Sequence, residues 1–226
     1  MKQAIAESLK LYMCARRLQR GRRSSVLTPN IAQSQHTDNS YHVVTCDAEV
    51  TDLTTTLDGF TVKLGYADGS HPDNLGGGIY LGGFVAGTGQ DPDTPSGKLT
   101  VSNCTVTDNF ASYYGGGVYV NGLGQIKMID STLTNNTATL NGGGYADGQA
   151  SAAFEDCVFV DNETTSTGAA RGGGGAWVGP GGTQRTFLRC RFTGNESKVV
   201  GGGLGVSDGT SAEPLLVNCL FYRNDA

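Results

Sequence analysis

The chain has 226 residues, a formal net charge of −5 and 38% hydrophobic residues, which suffices for one domain with a sizeable core. It holds 35 glycines but only 6 prolines, and no Gly-X-Y period, so the composition excludes collagen and favours a turn-rich all-β protein. No apolar run approaches the roughly 18 residues that a membrane-spanning helix needs.

Residues 1–30 differ in composition from the rest of the chain. They hold seven basic residues and one acidic residue, whereas the remainder holds 9 basic and 20 acidic residues. Apolar residues near helical spacing predict a short amphipathic helix here, and its charge follows the apolar positions, unlike a secretory signal. We interpret this basic segment as a cap on the domain or a stretch foreign to it. A membrane-surface or nucleic-acid contact is the alternative.

A short phrase recurs between residues 40 and 226. In five of the six copies an Asn stands five residues after a shared inward position, and Gly65 takes its place in the first copy. In every copy but the last, a glycine triplet follows before an apolar or aromatic residue. The triplets begin at Gly76, Gly115, Gly142, Gly173 and Gly201. The repeated asparagines, at intervals of 27, 26, 33 and 29 residues, are Asn109, Asn136, Asn162, Asn195 and Asn224. A period of this length, made of short alternating runs, predicts a β-solenoid.

The repeat also indicates how the coils are arranged. The alternation of inward and outward residues restarts after the Asn and after the glycines, so each coil needs two or three strands. Coils stacked in parallel put like residues on like, and the crossover rule favours the right hand. We therefore predict an all-β, right-handed parallel β-helix of about six coils over residues 40–226. The Asn is expected to turn the chain and to bond to the Asn residues above and below it.

Four cysteines share one inward position of the repeat, together with Phe60 and Ser131. They are Cys104, Cys157, Cys190 and Cys219. Stacked residues point the same way, and a disulfide between them would be strained, so we predict buried free thiols. A metal ladder is the alternative, without the CxxC or Cys/His spacing typical of metal sites. Cys46 falls in an incomplete first coil, and Cys14 falls in the basic segment.

The phrases FVDN, FTGN and FYRN, paired with GGGI, GGGV and GGGL, are similar to a known repeat. They resemble the repeat of the chlamydial polymorphic outer-membrane proteins and of bacterial right-handed β-helix surface proteins, over about residues 40–226. The resemblance implies an exported, surface-displayed and often adhesive passenger, whose partner is a glycan or a host or neighbouring cell surface. No anchor or secretion signal is visible, so we expect a fragment of a longer extracellular or cell-surface protein.

An outward row of polar residues stands just before the cysteine position. It comprises Asn103, Asp130, Asp156, Arg189 and Asn218. Pectate lyases and polygalacturonases, which are β-helix enzymes, place acidic and basic residues on the outer faces of successive strands. Asp130 and Asp156 would lie one strand spacing apart and either hold a cation such as Ca²⁺ or pair with Arg189. A solvated charged row at a bend is the alternative.

Three aromatic residues, Tyr80, Tyr119 and Trp177, hold equivalent outward positions after the glycine triplets, interrupted by Ala146. They predict an exposed aromatic stripe suited to sugar stacking or protein contact. A second outward row resembles the ice-binding face of some β-solenoid antifreeze proteins. It consists of Thr105, Thr107, Thr132 and Thr134 and is broken by Val158, Val160 and Arg191.

These features predict a non-enzymatic surface or secreted module with an adhesive or structural role. The alternatives are a polysaccharide-active lyase or glycoside hydrolase of the β-helix type and, third, an ice-binding solenoid. Asp130, Asp156 and Arg189 are the candidate catalytic residues for the enzyme. We expect no cofactor, with Ca²⁺ as the alternative, and no nucleic-acid partner.

Overall fold

The computed structural model describes residues 17–19, 25–27, 41–46, 54–82, 97–122, 124–168, 172–181, 184–208 and 213–226. Across these ranges the chain forms short β-strands joined by turns. None of the described residues is helical, and no helix among them is long and apolar enough to cross a membrane.

The strands follow one another in coils of up to four strands. The first described coil contains β1 (Arg17–Gln19), β2 (Ser25–Leu27) and β3 (Val44–Cys46). The next contains β4 (Thr54–Asp58), β5 (Phe60–Lys63), β6 (Tyr66–Ala67) and β7 (Ile79–Leu81). It is followed by β8 (Lys98–Ser102), β9 (Thr105–Thr107), β10 (Phe110–Ala111) and β11 (Val118–Asn121).

Three more coils and a last partial one complete the series. They contain β12 (Gln125–Ile129), β13 (Thr132–Thr134), β14 (Thr137–Ala138) and β15 (Tyr145–Gly148), then β16 (Ser151–Glu155), β17 (Val158–Val160), β18 (Glu163–Thr164) and β19 (Ala176–Val178). The last strands are β20 (Arg185–Leu188), β21 (Arg191–Thr193), β22 (Glu196–Ser197), β23 (Leu204–Val206), β24 (Leu215–Val217) and β25 (Leu220–Tyr222).

Equivalent strands of successive coils pair in parallel and form four sheets. Sheet 1 is β1-β4-β8-β12-β16-β20-β24, and sheet 2 is β2-β5-β9-β13-β17-β21-β25. Sheet 3 is β6-β10-β14-β18-β22, and sheet 4 is β3-β7-β11-β15-β19-β23. The predicted parallel β-helix is confirmed. Each complete coil has four strands rather than two or three, and the described residues contain five complete coils, with partial coils before and after them.

The amphipathic helix predicted in residues 1–30 is wrong at the two places where the structure describes that segment. There the chain forms β1 and β2, which pair in parallel with β4 and β5. The backbone groups along the edges of β4 and β5 need partners, and a strand supplies them where a helix cannot. The rest of residues 1–30, including Cys14, lies outside the described residues, so their assignment as a cap or a foreign stretch stays a prediction.

The core fills the interior of the coils with ladders of like residues. Phe154 stacks on Phe187 with ring centroids 4.8 Å apart, and Phe159 stacks on Phe192 at 4.5 Å. Both separations are close to the spacing of paired strands, so the parallel register itself sets the ring stacking. Edge-on contacts between the rings of the two ladders join them across the core.

The predicted asparagine ladder is confirmed, and it is buried and continuous. The Nδ2 group of Asn162 donates to the Oδ1 atom of Asn195 at 2.9 Å and to the carbonyl oxygen of Leu133 at 2.9 Å. Its own Oδ1 atom accepts from the backbone nitrogen and the Nδ2 group of Asn136. The same bonds link Asn109 to Asn136 and Asn195 to Asn224. Each amide from Asn109 to Asn195 therefore joins three successive coils.

Close approach of neighbouring coils and of the ladder asparagines explains the glycine triplets. Gly142 has a φ of 63° and turns the chain into β15. A Cβ atom on Gly143 would collide with the carbonyl oxygen of Glu163, and one on Gly144 would lie 3.1 Å from the Cγ atom of Asn162. The third glycine of the triplet thus packs on the ladder amide, which is why the two motifs recur together.

The left-handed backbone expected at the ladder asparagines belongs instead to the residue before each of them. Leu64 (φ 66°) takes this position in the first complete coil, one residue before Gly65. The others are Asp108, Asn135, Asp161, Gly194 and Arg223. The preceding residue makes the turn, because the Asn must point inward to bond to the coils on either side.

The predicted cysteine ladder is confirmed as a row of free thiols, of which Cys104, Cys157 and Cys190 are buried. Each polar side chain of the row donates to the carbonyl two residues earlier: Ser131 to Ile129 and Cys157 to Glu155, for example. Burial raises the pKa of the Cys104 thiol. The neighbouring Cys157 thiol and burial both raise the pKa of Cys190.

Replacing Phe192 by Ala should lower the free energy of unfolding by about 3–5 kcal/mol, because its buried ring lies between Phe159 and Phe221. Urea denaturation followed by circular dichroism measures this loss. Phe221→Ala is the matched control: Phe221 is 43% exposed, so its loss should be clearly smaller. Equal losses in both variants would contradict the core register.

Replacing Asn162 by Ala should cost about 2–4 kcal/mol, because it leaves buried polar groups on both neighbouring coils without partners. Asn135→Gly is the control, since exposed Asn135 has a φ of 53° that glycine also accepts. We expect the control to change the unfolding free energy by about 0.5 kcal/mol or less. A cost for Asn162→Ala no larger than that of the control would show that the ladder bonds add no stability.

Candidate functional site

The outward row that includes Asp130, Asp156 and Arg189 lies at the turn between sheet 1 and sheet 2. Every member has a left-handed backbone, with φ between 46° and 53°, and Gly59 takes the same position with φ 76°. Aspartate, asparagine and glycine enter this region more readily than other residues. The turn therefore accounts for much of the row's composition, whatever else the side chains do.

Within this row, Arg189 contacts the two carboxylates of the neighbouring coil. Its Nε and Nη2 atoms lie 2.7 and 2.6 Å from the two carboxylate oxygens of Asp156, and Nη2 also contacts Glu155 at 2.8 Å. Lys127 lies 4.0 Å from Glu155. Of the two arrangements predicted for this row, the structure has the pairing with Arg189, in solvent. No cluster of three or more His, Cys, Asp or Glu suited to a metal occurs within the described ranges.

The pairing also fixes the protonation of Asp156. Hydrogen bonds from Arg189 lower the pKa of Asp156 below its ordinary value of 3.8. The same bonds raise the pKa of Arg189. Asp156 is consequently an ionised group near neutral pH, which suits it to an ion pair and not to the role of a general acid.

The exposed aromatic stripe predicted from Tyr80, Tyr119 and Trp177 is wrong in its exposure. The three residues do align on sheet 4, with Ala146 between Tyr119 and Trp177. They are, however, only 2%, 6% and 8% exposed. They point away from the coil interior, as predicted, but other parts of the chain cover them.

The cover comes largely from the connection between sheet 3 and sheet 4. Leu75, Tyr113 and Tyr114 pack over the aromatic row, and the Tyr114 and Tyr119 ring centroids lie 6.0 Å apart. Buried His42 stacks on Tyr80 at 5.0 Å. This second apolar cluster outside the coils is structural, and a ligand would have to displace its cover to reach the rings.

The threonine row lies on sheet 2 in the register that the sequence predicts. Thr132 pairs with Thr105 and Val158, and Val158 pairs with Arg191. The four threonines are half-buried outward residues, and they span only two adjacent strands. An ice-binding face needs a longer flat array, so this row offers it no support.

A buried ion pair, which the sequence analysis missed, crosses the interior at the corner between sheet 4 and sheet 1. The Nη2 atom of Arg185 lies 2.6 Å from Oδ1 of Asp147, and the Tyr145 hydroxyl donates to Oδ2 at 2.9 Å. Burial raises the pKa of Asp147, and its bonds to Arg185 and Tyr145 oppose that shift. The sequence signal for this ion pair is a charged residue, Arg185, at an inward ladder position. Its neighbour in the ladder is the small Ala152, which leaves room for the Arg185 side chain.

A partly exposed aromatic pair, also missed, lies on the outside of sheet 3. Tyr66 and Phe110 stack with centroids 4.6 Å apart at 25°, directly after the ladder positions Gly65 and Asn109. They face an open groove of about 310 Å³, whose other lining side chains include Leu64, Asp108, Asn135 and Thr137. Aligning the residue after each ladder position would have revealed this row.

The stacked coils and their varied outer faces define a β-solenoid. A family model described as "Right handed beta helix region" matches residues 73–226. The chain therefore belongs to the right-handed β-helix family, and the predicted hand is confirmed. Neither a curated protein nor a solved structure matches the chain significantly.

The protonation of Asp156 can be tested by NMR titration of its carboxyl carbon. In the native protein its midpoint should lie below 3.8, and in Arg189→Asn it should rise towards that value. Asn suits the left-handed backbone at this position, so the change removes the charge without disturbing the turn. Lys127→Gln is the control and should leave the midpoint in place. An unchanged midpoint in Arg189→Asn would contradict the assignment.

Proposed function

We propose that this chain is a non-enzymatic module of a surface or secreted protein, with an adhesive or structural role. Membership of the right-handed β-helix family is consistent with surface proteins and with polysaccharide-active proteins alike. The similarity of the FVDN and GGGV phrases to the chlamydial polymorphic outer-membrane repeat favours the first. On this proposal the parent protein is extracellular or displayed on a cell, and its partner is a glycan or another cell surface.

One observation carries the proposal: inward positions repeat from coil to coil while outward positions change. One inward position is Asn in coil after coil, another is Cys in most coils, and most of the others are apolar. The outward row of sheet 3 instead runs Tyr66, Phe110, Thr137, Glu163 and Glu196. A rigid interior with a varied exterior suits a scaffold that presents contact surfaces.

The alternative, a β-helix enzyme acting on acidic polysaccharides, finds its best candidates in Asp130, Asp156 and Arg189. Such an enzyme needs carboxylates with separated pKa values or a Ca²⁺ ion held by several of them. Here both Asp156 oxygens accept from Arg189, and the row changes sign after two acidic positions. This arrangement favours an exposed ion pair that stiffens the corner.

The two functions predict different results for the purified protein. Incubated with polygalacturonate or alginate and Ca²⁺, it should yield no absorbance from unsaturated products. Immobilised on a surface, it should retain cells or glycan-coated beads above the level of an albumin coat. Product formation that disappears with chelator and in Asp156→Asn would overturn the proposal. A failure to retain any cell or bead tested would overturn the adhesive role and leave the structural one.

A further inference from the structure

We propose that the groove beside Tyr66 and Phe110 binds one or two pyranose rings of a neutral saccharide. The inference rests on the proposed function, for which it names a ligand class and a site. The groove lies between two rows of outward residues that run along the solenoid axis. One row is Leu64, Asp108 and Asn135 at the turn after sheet 2; the other is Tyr66, Phe110 and Thr137 on sheet 3.

The aromatic row supplies a platform for stacking. Tyr66 and Phe110 stand on paired strands, and the strand spacing holds their rings 4.6 Å apart. The row continues with Thr137, which is too small to add a third ring. The C–H face of a pyranose ring is apolar and flat enough to continue the stack over Thr137, against Phe110. A peptide segment offers no comparable rigid, flat face without an aromatic residue of its own.

The opposite row supplies hydrogen-bonding groups. Asp108 and Asn135 are exposed, and their left-handed backbones fix where the side chains start. Thr107 donates to Oδ2 of Asp108 at 3.0 Å, which orients the carboxylate. Within the described residues, Oδ1 of Asp108 has no donor, so it can accept from a sugar hydroxyl. The Asn135 amide can both donate and accept.

Charge and size select the kind of saccharide. Asp108 carries the one carboxylate among the residues that line the groove, and no basic residue lines it, so a uronic acid or sulfated sugar would be repelled. A neutral sugar satisfies the carboxylate with its hydroxyl groups. A volume of about 310 Å³ lies at the small end of ligand sites, enough for one or two rings of a longer chain.

The experiment begins with an array of neutral and acidic oligosaccharides, followed by titration calorimetry with the best neutral ligand. Phe110→Ala should weaken its binding at least about tenfold, because the stacking surface is lost. Tyr222→Ala is the matched control: Tyr222 is also an exposed aromatic, 52% exposed, but it lies on β25 away from the groove. Its binding should stay within about twofold of the native value.

Two further variants test the geometry without removing a packed ring. Thr137→Trp should block the groove by occupying the place of the sugar, and it should abolish binding while keeping the melting temperature. Asp108→Asn keeps the residue's backbone preference but removes its charge, so it should weaken binding about threefold to tenfold. Thr137→Trp decides the question if Phe110→Ala fails to fold.

Three results would overturn the inference: no neutral saccharide binds, only acidic ones bind, or binding survives both Phe110→Ala and Thr137→Trp. Cell retention by the same variants separates this failure from failure of the proposed function. If the native protein retains cells and the groove variants retain them equally, the groove is not the adhesive site and the proposed function stands. Retention that protease treatment of the cells abolishes but enzymatic removal of their glycans leaves unchanged would point to a protein partner and also count against the saccharide.

Discussion

The whole structure depends on parallel, in-register stacking of one coil on the next. Because each strand bonds to its equivalents above and below, every residue meets its own counterpart along the axis. A side chain that can hydrogen-bond to its own counterpart can therefore recur in coil after coil, as the amides from Asn109 to Asn224 do. The third glycine of each triplet lies against one of those amides, and neighbouring backbone leaves no room for a Cβ atom on the first two. The fold is thus specified by ladders, and a single coil has no stable core of its own.

The same constraint explains which features the sequence predicts well. The period, the inward Cys and Asn positions and the corner glycines follow from repetition, since a position that must match its neighbours shows the same residue types. The positions of Cys157 and Asn162 could therefore be read from spacing alone. The left-handed turn was misplaced by one residue, because Asp161 and Asn162 both suit a turn by composition. Only the bonds show which of the two points inward.

Contacts between different parts of a coil cannot be predicted from the repeat alone. Alternation places Trp177 outside sheet 4, but it carries no information on whether a connection folds over that sheet, as Tyr113 and Tyr114 do. Asp147 and Arg185 belong to coils that are not adjacent in the ladder. Neither residue type repeats at its position in the other coils, so the repeat does not predict the pair. Tyr66 and Phe110 were overlooked for the opposite reason: two rings in a row make too short a pattern to stand out.

The lengths of the coils carry a consequence for how such a molecule can change. From the Cys or Ser position to the ladder Asn the distance is five residues in every coil from Cys104 onwards. Between Asn162 and Gly173, however, five more residues are present than between Asn136 and Gly142. The strands on both sides of this longer connection keep the same register with their neighbours. Proteins of this kind can therefore acquire new surface loops by small duplications, one coil at a time, without a change in the interior residues that specify the fold.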